Sequence, residues 1–332
     1  MKKTSVYAVI LTIVLLLGIT SCGTEGEKAD SGSSTEKITF VLDWTPNTNH
    51  TGLYVAEAKG YFAQAGLEVS IVQPPESGAP ALVAAGKADF GIDAQDMLAA
   101  AWSSDEPLPV TAVAAVVSHN TSGIIAPASA NIRSFKDLEG KRYASWDLPA
   151  ELAVIRQVME NQGGDFDKLI RIPNTVTDVL AAIQTDIDAV WIYEGWDGVA
   201  AQVAGVPYTY LSFAEAEPKL DCYTPVVIAN NAYLAEHPET AKMFLQAVGK
   251  GYTYAAENPQ ESAAILLEAA PELGKELVEA SQVYMSKAYI ADAPYWGYID
   301  ESRWNAFFDW MYDNQLIDKE LGAEYFSNAY LG

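Results

Sequence analysis

Along most of its length the chain alternates between short unbroken apolar runs and longer stretches in which apolar residues recur every three or four positions. The first pattern is that of buried strands, the second that of amphipathic helices. A run at 38–42, with Phe40, Val41 and Leu42 adjacent, predicts the first strand. Periodicity restarts at Leu53, Tyr54, Ala56 and Ala58, predicting a helix capped at Gly60. Further strands are predicted at 67–72, 88–92, 110–117 (continuing to Ile124 and Ile125), 142–144, 169–172, 189–194, 207–211 and 224–228. Helices are predicted at 79–85, from Gln95 through Trp102, at 151–161 and at 176–183. Beyond Pro238 the pattern is helical, at 238–256, 261–269, 274–290 and 301–314. Repeated βα units predict a mostly parallel sheet with helices on both faces.

In open α/β sheets ligands bind at the carboxyl ends of the strands. The first such loop reads Asp43, Trp44, Thr45, Pro46, Asn47, Thr48, Asn49, His50: one charge, one large ring, two amides and an imidazole. A loop capped by Asn47 or Asn49 accounts for the amides, but a cap needs no Trp beside it. Asp43 either orients His50 or caps the loop. Collecting the strand-end loops gives a candidate ligand set of Trp44, Asn47, Asn49, His50, Ser77, Gln95, Ser118, Asn120, Trp146, Trp191, Tyr193 and Glu194. The set holds rings, amides and hydroxyls but neither Arg nor Lys, and no Arg occurs before Arg133. Anion recognition usually enlists Arg, although helix N-termini can hold an anion without it. Rings with polar edges suit a planar, neutral or cationic heterocycle. Glu194 is the sharpest candidate, able to accept two hydrogen bonds from an amino group or a protonated ring nitrogen. Its competing roles are a solvated loop residue or a helix cap. Trp44 either stacks on ligand or packs between domains, and Trp191 either meets ligand or belongs to the core.

Charge narrows the partners. The formal net charge is −24 over 332 residues, which excludes nucleic acid and anionic lipid surfaces as binding partners. His50, His119 and His237 lie too far apart for metal-ligand spacing, so neither metal nor cofactor is expected. No acid partner can be named for His119, which leaves no hydrolase triad. Lys2 and Lys3 precede an apolar run at 6–19, followed by Ile19-Thr20-Ser21-Cys22, the form of a lipoprotein signal. The expected organisation is a signal at 1–21, diacylation of Cys22, and a flexible tether at 22–35. Cys222 is then the only other cysteine, so no disulfide can form within the chain, and a small semi-buried residue is expected there.

The stretch LDWTPNTNHTGLYVAEAKGYFAQAGLEVSI, together with SFKDLEGKRYA, HPETAKMFLQAVGKGYTYAAENPQESAAILLEAAPE and ESRWNAFFDWMYDNQLID, resembles the solute-binding proteins of the nitrate, sulfonate and thiamin-pyrimidine group. The openings LDWTPNTNHTG and WIYEGWDG look most like the branch that binds formylaminopyrimidine-type thiamin precursors. The resemblance implies an α/β type II periplasmic-binding-protein fold, with two lobes joined by two crossing strands. Lobe 1 would comprise 36–125 plus 226–332 and lobe 2 126–225, with crossings near 124–126 and 224–228. It implies a monomeric, lipid-anchored receptor on the extracytoplasmic face, delivering a small heteroaromatic ligand to an ABC permease. Riboflavin, a sulfonate or nitrate remain alternative ligands. A related yeast fold makes the pyrimidine and depends on a Cys-rich motif, which this chain lacks, so an enzymatic role is not expected.

Overall fold

Phe40, Val41 and Leu42 lose all solvent contact, as a strand covered on both faces requires. A computed structural model describes residues 35–173, 176 and 178–331; the expected signal, Cys22 and nearly all of the tether lie outside them. Ten strands follow in order: β1 (Glu36–Val41), β2 (Leu67–Val72), β3 (Phe90–Asp93), β4 (Val110–Ala115), β5 (Ser122–Pro127), β6 (Arg142–Ser145), β7 (Ile170–Pro173), β8 (Ala189–Tyr193), β9 (Tyr208–Ser212) and β10 (Val226–Asn230).

They form two five-stranded sheets, ordered β2-β1-β3-β10-β4 and β7-β6-β8-β5-β9. In the first, β1 runs parallel to β2 and β3, and β10 lies antiparallel between β3 and β4. In the second, β6 runs parallel to β7 and β8, and β5 lies antiparallel between β8 and β9. Each sheet is therefore a parallel core into which one antiparallel strand is inserted, and that strand arrives from the other sheet. This is the two-lobed α/β arrangement the resemblance implies.

The chain passes between the sheets at 116–121 and again between β9 and β10. The expected first crossing at 124–126 is instead interior to β5, and Thr224 precedes β10. The β-branched run from Val110 reads as continuous. Asn120 interrupts it, because its Oδ1 accepts the Ser122 N–H at 2.8 Å, a local side-chain turn that competes with a strand ladder. The two crossings are clasped together. Val116 N–H donates to the Pro225 carbonyl at 3.0 Å. Asn120 N–H donates to Asp221 Oδ1 and its Nδ2 to the Leu220 carbonyl, each at 2.8 Å.

Behind the first sheet stand the C-terminal helices Pro238–Glu257, Pro259–Ala269 and Lys275–Ala288. Phe244, Val248, Tyr252, Met285 and Tyr289 share one buried cluster with Phe40, Ile92 and Val113 of that sheet. The helix Glu301–Asp313 instead backs the crossings, with Trp304 packed on Tyr223 and Trp102. Among the described residues no helix is long and apolar enough to cross a membrane.

Candidate functional site

The loop after β1 is built by its own polar groups. Asn47 Oδ1 accepts the Asn49 N–H at 2.9 Å, and the Asn47 N–H donates to His50 Nδ1 at 3.1 Å, a reciprocal capping box at the short turn Thr48–His50. With Nδ1 accepting, the imidazole proton sits on Nε2, which donates to Asp43 Oδ1 at 2.7 Å. Asp43 thus orients His50. Burial pushes the Asp43 carboxyl up, but the His50 hydrogen bond and backbone donors outweigh it and hold it below the usual carboxylate range. The C-terminal helices pin the loop from behind: Tyr289 OH donates to the Thr48 carbonyl and Tyr252 OH to that of Asn49, both at 2.6 Å. Trp44 projects, 69 % exposed, beside the exposed Thr45.

Several expected ligand residues are consumed by the fold in the same way. Asn47 and His50 are committed to the capping box. Gln95 is fully buried, its Oε1 accepting the Tyr223 N–H and its Nε2 donating to the Trp304 carbonyl, both at 3.0 Å. It fastens the second crossing to the first lobe. Asn120 does the same between the crossings. Ser77 is exposed on a turn, with no capping bond. Trp191 lies half-buried with its ring 4.2 Å from Phe213 and 6.1 Å from the exposed Trp146. Ser118 is buried, and its hydroxyl finds no partner among the described residues.

The carboxyl edge of β3 is more acidic than the amides suggested. Asp93 ends β3, and Asp96 sits in the first turn of the helix Gln95–Ser103. Burial, reinforced by the charges of Asp96 and Asp43, pushes the Asp93 carboxyl up to about 7 against the pull of the Ala94 N–H. Burial raises Asp96 also, and its Oδ1 is sealed from solvent without a partner among the described residues. From the other lobe Tyr193 reaches Thr224 Oγ1 at 3.4 Å. Burial and then the Asp96 charge raise its phenol, which places the ring within electrostatic reach of that carboxylate.

Glu194, at the end of β8, has a neighbour of its own. Its Oε1 accepts the Tyr208 hydroxyl at 2.8 Å, and its Oε2 is buried without a partner among the described residues. Burial raises this carboxyl, Tyr208 opposes the shift, and Asp197 adds to it. Asp197 itself is pushed up by burial to about 6. The carboxylate folds over Gly198, where a Cβ would fall 1.9 Å from Oε2. Among the described residues no Lys or Arg pairs with Asp93, Asp96, Glu194 or Asp197; the ion pair of the cleft loop is Asp43 with His50. Four poorly compensated carboxyls can accept N–H donors, or donate when protonated, and they repel anions.

Sequence reasoning missed Asp93 and Asp96, choosing Gln95 between them. Their signal was their position at the carboxyl edge of β3. It also missed Tyr208, whose partner became visible only once β9 lay beside β5.

A family model described as NMT1/THI5 like matches residues 47–262. A formylaminopyrimidine-binding protein of Halalkalibacterium halodurans is 29 % identical over 327 residues, covering 96 % of this chain and 97 % of that protein. A 4-amino-5-hydroxymethyl-2-methylpyrimidine phosphate synthase of Aspergillus parasiticus is 26 % identical over 269 residues, covering 76 % of this chain and 78 % of the relative. Among solved structures, the alkanesulfonate-binding protein SsuA of Xanthomonas axonopodis pv. citri, bound to MOPS, superposes with a TM-score of 0.64. It is 15 % identical, and the match covers 88 % of this chain and 98 % of that one.

Proposed function

Because this chain belongs to the NMT1/THI5-like family, we propose that it is the extracytoplasmic solute-binding component of an ABC importer, with an aminopyrimidine of the formylaminopyrimidine type as its ligand. The lobes, divided at the crossing 116–121 rather than at 125 and again between β9 and β10, would close over the ligand. Cys22 would carry the lipid anchor, the receptor would act as a monomer, and an ABC permease would take over its cargo.

One observation carries the ligand class: the carboxyls of Asp93 and Asp96 at the carboxyl edge of β3, and of Glu194 at the end of β8, have no Lys or Arg paired to them among the described residues, and Asp96 Oδ1 and Glu194 Oε2 are buried without a partner there. An aminopyrimidine presents an amino donor beside a ring nitrogen, and a carboxyl group matches that edge with two hydrogen bonds. A sulfonate or nitrate would meet uncompensated negative charge. Trp44 supplies an exposed ring for stacking, worth about 0.5–1.5 kcal/mol beyond burial. The 29 % identical binding protein supports the same reading.

A thermal-shift panel of formylaminopyrimidine, hydroxymethylpyrimidine, riboflavin, taurine and nitrate tests it. At 100 times Kd the cognate compound stabilises by about 2.7 kcal/mol. Stabilisation by taurine or nitrate alone sinks the proposal, and stabilisation by riboflavin alone moves it to a larger heterocycle. The synthase relative favours an enzymatic reading, which is separable in the same samples. A synthase releases pyrimidine product with time, whereas a receptor only retains what it is given. The chain's cysteines are Cys22 and Cys222 alone, which supports retention.

A further inference from the structure

The turn Glu194–Gly198 leaves the second sheet at the end of β8 and docks on helices that pack behind the first. Trp196 is half-buried and, with Tyr54, Leu267 and Leu273, packs against a cluster formed by Ala263, Leu266 and Val278. Gly195 lies so close to the helix Lys275–Ala288 that a Cβ there would fall 2.7 Å from Met285 Sδ and 3.1 Å from the Tyr284 ring. The Gly195 carbonyl accepts the hydroxyl proton of Ser281, a fully buried residue of that helix. Ser281 Oγ lies 2.6 Å from Thr48 Oγ1 in the cleft loop of the first lobe. A serine hydroxyl has one proton, and Ser281 gives it to Gly195. Thr48 must therefore donate to Ser281, and the chain of bonds runs Thr48 to Ser281 to Gly195.

We propose that Ser281 is a positioning residue for ligand binding, the middle of a latch by which the first-lobe cleft loop holds the second-lobe turn that carries Glu194. Trp196 is the apolar anchor of the latch and the Thr48–Ser281–Gly195 relay its polar register. Closure of the lobes and seating of the Glu194 carboxyl are then a single event, because Gly195 is the next residue in the chain. This rests on the reading that ligand binds between the lobes. It adds that residence time is set by groups that need not touch the ligand. Breaking such a contact acts on dissociation rather than association.

Hydrogen exchange and binding kinetics on Ser281→Ala, Thr48→Val, the double variant and Trp196→Ala test it. In protein without added ligand, exchange at residues 194–198 rises about tenfold in Ser281→Ala and in Trp196→Ala. With formylaminopyrimidine as probe, the dissociation rate of both variants rises about tenfold and the association rate holds. The double variant matches Ser281→Ala, because removing the middle of a relay makes its first member silent, whereas independent packing effects add. Wild-type exchange in both Ser281→Ala and Trp196→Ala overturns the latch, and so does additivity in the double variant. Trp196→Ala, at a half-buried site, keeps the test open should Ser281→Ala fold poorly. If formylaminopyrimidine binds no form of the protein, the ligand assignment fails while the exchange result still decides the latch.

Discussion

The two loops that face each other across the lobes are built on opposite principles. The one after β1 spends its polar side chains on itself: Asn47 and His50 close a capping box, and Asp43 takes the remaining imidazole nitrogen. The one after β8 leaves a polar atom unspent, Glu194 Oε2 being buried and unpartnered among the described residues, and holds Asp197 raised to about 6. A satisfied loop holds its shape, and an unsatisfied one waits for a partner. In the first lobe the element we propose for specificity is therefore the bare ring of Trp44, and in the second a carboxyl.

The sharpest way to break this comparison is to unmake the satisfied loop. His50→Ala removes a capping partner and leaves the half-buried Asp43 with its backbone donors alone. Loss of a partner in a buried charged hydrogen bond costs about 1–3 kcal/mol or more, so the melting temperature should fall by several degrees. Calorimetry would show it; an unchanged melting temperature would mean the loop is held by Tyr252 and Tyr289 alone.

Glu194→Gln should do the reverse. Stability without ligand should hold or rise, because an ill-compensated buried carboxyl is removed. Affinity for formylaminopyrimidine should fall about 10- to 100-fold, as expected for a lost charge-assisted bond of roughly 1.5–3 kcal/mol. Titration calorimetry gives both the affinity and, by difference, the assignment. Equal affinity would return Glu194 to a structural partner of Tyr208.

Trp44→Ala should cost less, about three- to tenfold in affinity with no change in melting temperature, since the ring is 69 % exposed and has little packing to lose. Trp44→Phe should fall between the two. Fluorescence titration separates them.

A further effect is a slope. The Asp93 carboxyl, raised to about 7 from its usual 3.8, binds a proton in the folded chain that the unfolded chain has already released. Between those values the native state holds more protons, so stability falls as pH rises from about 4 to 7, the reverse of a salt-bridged carboxylate. Asp197 acts alike up to about 6, while Asp43, held low, contributes stability that is lost on acidification. Asp93→Asn should flatten the decline between pH 5 and 7 in denaturation curves. A slope identical to wild type would show that Asp93 does not carry the proton.

The strands and their alternation with helices were legible because each rests on local periodicity. The loop after β1 was legible as the place to look, since a Trp at a strand end has no local excuse. The split between structural and exposed residues within it was not. Asn47 and His50 form a capping box of unusual composition, with imidazole where Glu or Gln is the familiar partner. His119 offered no acid neighbour in sequence because Asp221 lies 102 residues away, 2.6 Å from Nδ1, and Asp292 reaches Nε2 at 2.8 Å from farther still. Arg303 joins Asp221 at 3.0 Å, so the crossings share a charge cluster assembled from four distant segments. Periodicity carries no record of such contacts.

The insertion of β10 between β3 and β4 fixes an order of assembly. The second sheet is made from strands contiguous in the chain, β5 to β9, and can close as soon as residue 212 is available. The first sheet cannot: until residues 226–230 arrive, β3 and β4 have no strand between them, and the apolar faces of Ile92, Ala112 and Val113 stay open. As the chain emerges from its N-terminal end, the lobe begun second is thus completed first, and the first-made strands must wait for it without pairing wrongly, a period in which open edges invite aggregation. A chain ending after residue 225 would carry a finished second sheet and a first sheet still in two pieces.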